Sequence, residues 1–157
     1  MAEIKTNAIR ILDKNKIKYT LHIYEPDGNV DAISAASKIN MPVDKVYKTL
    51  VTKGKSGVHY VFVIRADSEL DLKKAAASVG EKNVEMIAVK DLLKTTGYIR
   101  GGCSPVGMKK LFKTVVDAEV ENLETFVVSS GKIGCFMELC PKDLQKLIGC
   151  EFISILA

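Results

Sequence analysis

The chain has 157 residues, 47% apolar and 27% charged, with a formal net charge of +4. That length fits one domain, expected to span residues 1–157 and to bury a real core. No apolar run approaches the about 18 residues of a membrane span, and the opening MAEIKTNAIR lacks a signal peptide's apolar stretch, so a cytoplasmic location is expected.

Thr6 is placed to cap a first helix, whose apolar period runs through Ile9 and Leu12 to about Asn15. Lys18 to Glu25 alternates like a half-buried strand, which EPDGN breaks. Asp31 caps a second helix, DAISAASKIN, which stops before Met41-Pro42. VYKTLVTK and VHYVFVIRA flank Gly54-Lys55-Ser56-Gly57 and read as a hairpin. Asp71 starts a third helix with Gly80 in the C-cap position. NVEMIAV reads as a short strand and VKDLLKTTG as a short helix ending at Gly97. A glycine-rich loop then leads to the strands KTVVDA, TFVVSS and CFMEL, the last two separated by Ser130-Gly131-Lys132. PKDLQKLIG carries proline in a helix's first turn, and EFISIL is a closing strand. These elements predict an α+β fold, a mixed sheet or partly closed barrel flanked by helices.

Several familiar chemistries fail on spacing. The four cysteines form no CxxC pair and lie far from His22 and His59, so no zinc site is expected; they read as reduced thiols, three of them packed as small hydrophobes. Gly54-Lys55-Ser56 resembles the end of a P-loop, but Thr49 occupies the position of its first glycine and a hairpin replaces the strand-to-helix step. GCSPVG misses a nucleophile elbow because Gly107 comes one residue late. GGCSPVG lacks the spacing and the acidic ribose contact of a dinucleotide fingerprint.

Two stretches remain. In VYKTL, alternation puts Lys48 on the face of Leu50, opposite Tyr47 and Thr49; such a lysine either lines a cleft or snorkels outward from an edge. In GYIRGGCSPVGMKK, glycines bring backbone N–H groups close to a ligand, while Ser104 adds a hydroxyl and Arg100, Lys109 and Lys110 add positive charge. That combination suits a carbonyl oxygen or a phosphate, and a long tight turn is the plainer alternative.

The whole chain resembles the YbaK/EbsC family of aminoacyl-tRNA deacylases. The resemblance is carried by ILDKNKIKY, HIYE, VYKTL, LDLKKAAASVGEKNVEM, TGYIRGGCSPVGMKK and FVVSSGKIGCFMEL, nearly end to end. It implies a trans-editing enzyme that removes cysteine from mischarged Cys-tRNA(Pro), with the substrate's own thiol attacking its ester and no cofactor or metal. The partners it implies are the 3′ aminoacyl end of the tRNA and prolyl-tRNA synthetase in a ternary complex. The mild net charge fits weak, salt-sensitive binding of tRNA alone. By motif position, Lys48 is implied to contact a 3′-end phosphate and Gly101 to face the aminoacyl carbonyl. Tyr24, Gly102, Ser104 and Ser129 are implied to line the substrate pocket. Phe136 departs from the pattern, since some close relatives carry an acid there; a deacylase for another misacylated tRNA such as Ala-tRNA, or a non-catalytic tRNA- or synthetase-binding or regulatory module, are the alternatives. Cys103 is not expected to be a nucleophile, because nothing nearby plainly lowers its pKa.

Overall fold

The computed structural model describes residues 5–157. Local signals account for most helix ends. Helix α1 (Asn7–Lys14) starts at Thr6, whose Oγ1 accepts from the Ile9 N–H at 3.2 Å and also donates to the Ser130 carbonyl. Helices α2 (Ala32–Lys38) and α3 (Leu72–Ser78) are capped by the Asp31 and Asp71 carboxylates. Helix α4 (Val89–Thr96) ends at Gly97 and α5 (Pro141–Ile148) at Gly149, both in the left-handed region that lets a chain leave a helix without a Cβ clash.

Strands β2 (Tyr47–Gly54) and β3 (His59–Arg65) form the expected hairpin, with Lys48 opposite Ile64. They centre a five-stranded sheet, completed by β4 (Val84–Met86), β5 (Lys113–Asp117) and β8 (Glu151–Ile153) in the order β4-β2-β3-β5-β8. The β3–β5 and β5–β8 pairs are parallel, so the sheet is mixed. A second, antiparallel sheet has the order β1-β7-β6, from β1 (Thr20–Ile23), β6 (Phe126–Lys132) and β7 (Cys135–Leu139).

Strand β3 explains how these layers stack. Val61 to Ile64 are all buried, as a strand covered on both faces requires. Tyr60, Phe62 and Ile64 pack with Ala75 and Ala76 of α3 and its cap residue Val79, while Val61 and Val63 join Phe126, Val128, Met137 and Leu139 of the second sheet. Helix α2 covers that sheet's outer face, where Ala35 and Ala36 meet Val127 and Phe136. A parallel bridge between Val46 and Val127 ties the two sheets together. Among the described residues the result is an α+β fold with two sheets and five α-helices. None of the described helices is long and apolar enough to cross a membrane.

Three local expectations need correction. The third helix is capped at Val79, and Gly80 follows it in the left-handed region. Ser130-Gly131-Lys132 is no turn: β6 runs through Lys132 with an irregular register after Ser129, and the reversal falls at Ile133-Gly134. The bulge absorbs the small residues that sequence reading takes for a turn. The Lys18 to Glu25 strand shortens to β1, which leaves Tyr24 beyond its end.

Candidate functional site

The glycine loop, the start of α2, strand β2 and the second sheet meet around one cleft of about 240 Å³. Lys48, Gly101, Ser129 and Phe136 all line it, so residues from four separate stretches converge there. Lys48 is half-buried and makes no hydrogen bond or ion pair with the described residues; exposed Arg100, also lining the cleft, is likewise unpaired. Thr49 contributes a buried hydroxyl with no partner. Two cations left unpaired at one cleft suit an anionic ligand.

Gly101 has φ +85°, in the left-handed region. A Cβ at that position would lie 2.6 Å from the Val30 Cβ, so glycine is required both by conformation and by the close approach of α2's lead-in. The Gly102 N–H donates to the Ile99 carbonyl at 3.0 Å and closes a turn, so it is not the free donor that sequence reading allows. The N–H groups of Gly101 and Cys103 have no acceptor among the described residues, and both residues line the cleft.

The other anticipated residues divide. Ser129 is buried at the cleft, and its Oγ accepts from the Gly131 N–H at 3.2 Å. Tyr24 stands behind the cleft, stacked on Phe136 with ring centroids 6.1 Å apart and with the Lys38 ammonium 5.2 Å from its own centroid. Ser104 is fully buried and off the cleft; its Oγ accepts from the Val106 N–H and shapes the loop from within. Phe136 packs with α2 and Val127 while presenting an edge to the cleft, so no carboxylate stands at that position. Cys103 is 8% exposed, and burial pushes its thiol up to about 12, which keeps it protonated and a poor nucleophile. Sequence reading missed Val30, Asp31 and Ala32 as cleft residues. Asp31 announces itself only as a helix cap, and its carboxylate, held low chiefly by hydrogen bonds from Ser34, reaches the cleft through tertiary packing.

Residues 28–147 match the family model for the aminoacyl-tRNA editing domain. The chain is 41% identical over 152 residues to "Putative Cys-tRNA(Pro)/Cys-tRNA(Cys) deacylase EbsC" of Enterococcus faecalis, covering 96% of this chain and 93% of that protein. It is 30% identical over 118 residues to the proline--tRNA ligase of Fervidobacterium nodosum; the match takes in 75% of this chain but only 20% of the ligase. Among solved structures, "hypothetical protein APE2540" superposes with a TM-score of 0.88 at 20% identity, over 97% of this chain and 100% of that one. A "putative trans-editing enzyme for prolyl tRNA synthetase" gives 0.82 at 23% identity, over 99% of both chains. At these identities the superpositions speak for the fold.

Proposed function

Because the chain belongs to the aminoacyl-tRNA editing domain family, we propose that it is a trans-editing deacylase that removes cysteine from mischarged Cys-tRNA(Pro). The observation that carries this reading is the cleft itself, where unpaired Lys48 faces a loop whose Gly101 and Cys103 N–H groups lack acceptors. On this reading residues 1–157 form one editing domain, and the two sheets meeting at Val46 and Val127 form its partly closed barrel.

Lys48 holds a phosphate of the tRNA 3′ end as a point charge. The aminoacyl carbonyl rests against Gly101, with the cysteine side chain toward Ser129 and Phe136 and with Tyr24 backing that wall. The substrate's sulfur attacks its own carbonyl carbon, and the carbonyl oxygen gathers negative charge that the loop N–H groups receive. The ester C–O bond then breaks, and the thiol's proton passes to the departing ribose oxygen. The products are a cyclic thiolactone and free tRNA. Because nucleophile and electrophile belong to one bound molecule, the protein's contribution is orientation and charge stabilisation, and no basic side chain is required at the carbon. Gly102 and Ser104 serve this reading indirectly, by fixing the turn and the loop that present Gly101.

The mild net charge supports weak binding of tRNA alone; on this reading prolyl-tRNA synthetase selects the tRNA in a ternary complex, and the protein works in the cytoplasm. The test is deacylation of Cys-, Ala-, Ser- and Pro-charged tRNA(Pro) by the purified chain. Free tRNA from the cysteinyl substrate, and none from the seryl or alanyl ones, is expected, because only a thiol cyclises. Release from Ala-tRNA(Pro) at an equal rate would replace thiol-assisted cleavage with a different deacylation, and no release from any substrate by folded protein would sink the reading.

A further inference from the structure

An aminoacyl ester on a terminal ribose points two ways: the amino acid lies on one side of the ester and the nucleoside on the other. If the carbonyl rests at Gly101 with the side chain toward Ser129 and Phe136, as proposed above, the ribose leaves past the opposite side of Gly101. A second cleft of about 190 Å³ opens there. It shares Thr49, Leu50, Arg100, Gly101 and Cys103 with the first, and its far wall is Met86, Ile87, Ala88, Val89 and Leu92. The clefts beside Phe112, His59 and Glu138 touch none of those five shared residues.

The chemistry of this second cleft differs from that of the first. Its wall is apolar yet open to solvent: Met86 is 47% exposed and Val89 62%. Neighbouring apolar side chains left wet in this way offer a surface to a flat, weakly hydrated partner. Arg100 stands at the junction with no partner, and a guanidinium plane stacks on a base as readily as it attracts phosphate. Ala88 occupies the N-cap position of α4 and supplies no side-chain acceptor, so the Val89 N–H, at the cleft, has no acceptor among the described residues.

We infer that this second cleft seats the terminal nucleobase of the tRNA 3′ end. The base lies on Met86 and Val89, and Arg100 covers it. The inference rests on the deacylase reading for the placement of the ester, but its test does not. Adenosine 5′-monophosphate, and ribose 5-phosphate as a probe lacking the base, are titrated into the full chain while backbone amide shifts are followed. The nucleotide is expected to move amides of residues 86–92 and 100–103, and the sugar phosphate to leave those of 86–92 in place. Replacing the two wall residues together, Met86→Ala with Val89→Ala, is expected to weaken nucleotide binding about tenfold and to raise KM for Cys-tRNA(Pro) by a similar factor. Leu111→Ala, at an exposed position outside both clefts, serves as the control and should change neither. Both wall positions are solvent-exposed, so a folded variant is expected, and Met86→Ser alone gives a second reading of the same wall. Nucleotide shifts confined to other segments, or wall variants that bind as the parent does, would overturn the base seat and point to a protein partner or a second copy on this surface. Nucleotide binding at the wall by a folded chain that deacylates nothing would uphold the seat and sink the deacylase reading.

Discussion

Two polar clusters in this molecule use similar residues to opposite ends. Around Glu138 every group is spoken for: Oε1 lies 2.8 Å from the His22 Nε2, while Oε2 accepts from Lys45 at 3.0 Å and from the Thr125 hydroxyl. Around Gly101 almost nothing is: among the described residues Lys48, Arg100 and two loop N–H groups all lack partners. The first arrangement joins β1, β7 and the short 3-10 turn before β2 (Val43–Lys45), with its partners all supplied by the fold. The second adds little stability in the free protein, because its donors have no acceptor among the described residues. Partner count thus separates a structural charge cluster from a receptive one, where residue type alone cannot.

That contrast can be broken most sharply at Lys48. Lys48→Ala is expected to lower kcat/KM for Cys-tRNA(Pro) by about 100-fold or more through lost positioning. The same change should alter unfolding free energy by less than about 0.5 kcal/mol, since the fold gives this ammonium no partner. Deacylation assays paired with urea unfolding read both quantities, and a large loss of stability would put Lys48 in the structural class. Gly101→Ala tests the loop: a positive φ and the approach to Val30 should together cost about 1–3 kcal/mol of stability and also lower turnover. Adding Val30→Gly should recover only part of that loss, because it removes the 2.6 Å Cβ contact and not the φ angle.

Glu138 is the opposite case. Burial pushes its carboxyl up, but the hydrogen bonds from Thr125, His22 and Lys45 outweigh burial and hold it at about 2, below its ordinary 4.5. The unfolded chain therefore takes up this proton first as pH falls. The stabilisation is complete above about pH 4.5 and is lost between there and about pH 2. Glu138→Gln should reduce stability near neutral pH by about 1–3 kcal/mol and flatten the acid limb of a stability-versus-pH curve. Turnover at temperatures where the variant stays folded should survive. The smallest effect is expected at Cys103. With its thiol pushed up to about 12 by burial, Cys103→Ala should keep turnover within a few-fold of the parent and the native protein should resist alkylation there.

Much of this was legible in the chain because it is written locally. Thr6, Asp31, Asp71, Gly97 and Gly149 mark helix ends through contacts within a turn of themselves, and the β2–β3 hairpin announces itself through its glycines. The glycine loop and Lys48 were equally visible, the one by composition and the other by sitting on a strand beside Leu50. What stayed hidden depends on distant partners. No property of Val30 marks it as the residue that crowds Gly101, and the unpaired state of Lys48 is a fact about everything that folds around it. Gly102 shows the limit from the other side. Its composition suggested a free donor, but the carbonyl three residues before it had already claimed the N–H. The parallel pairing of β3 with β5 could not be read either, because antiparallel hairpins were the only pairings that neighbouring turns could signal.

That parallel pairing has a kinetic consequence. Everything from α3 through the glycine loop is contained in the crossover between β3 and β5, two adjacent strands at the centre of the larger sheet. The hairpin of β2 and β3 and the pairing of β6 with β7 join neighbours in the chain and close small loops, whereas β5 docks only after residues 66–112 have been looped out and brought back. The cleft is therefore assembled by the chain's long-range closure: sheet protection measured by hydrogen exchange during refolding should precede the capacity to bind nucleotide. A newly made molecule holds a core before it holds a site.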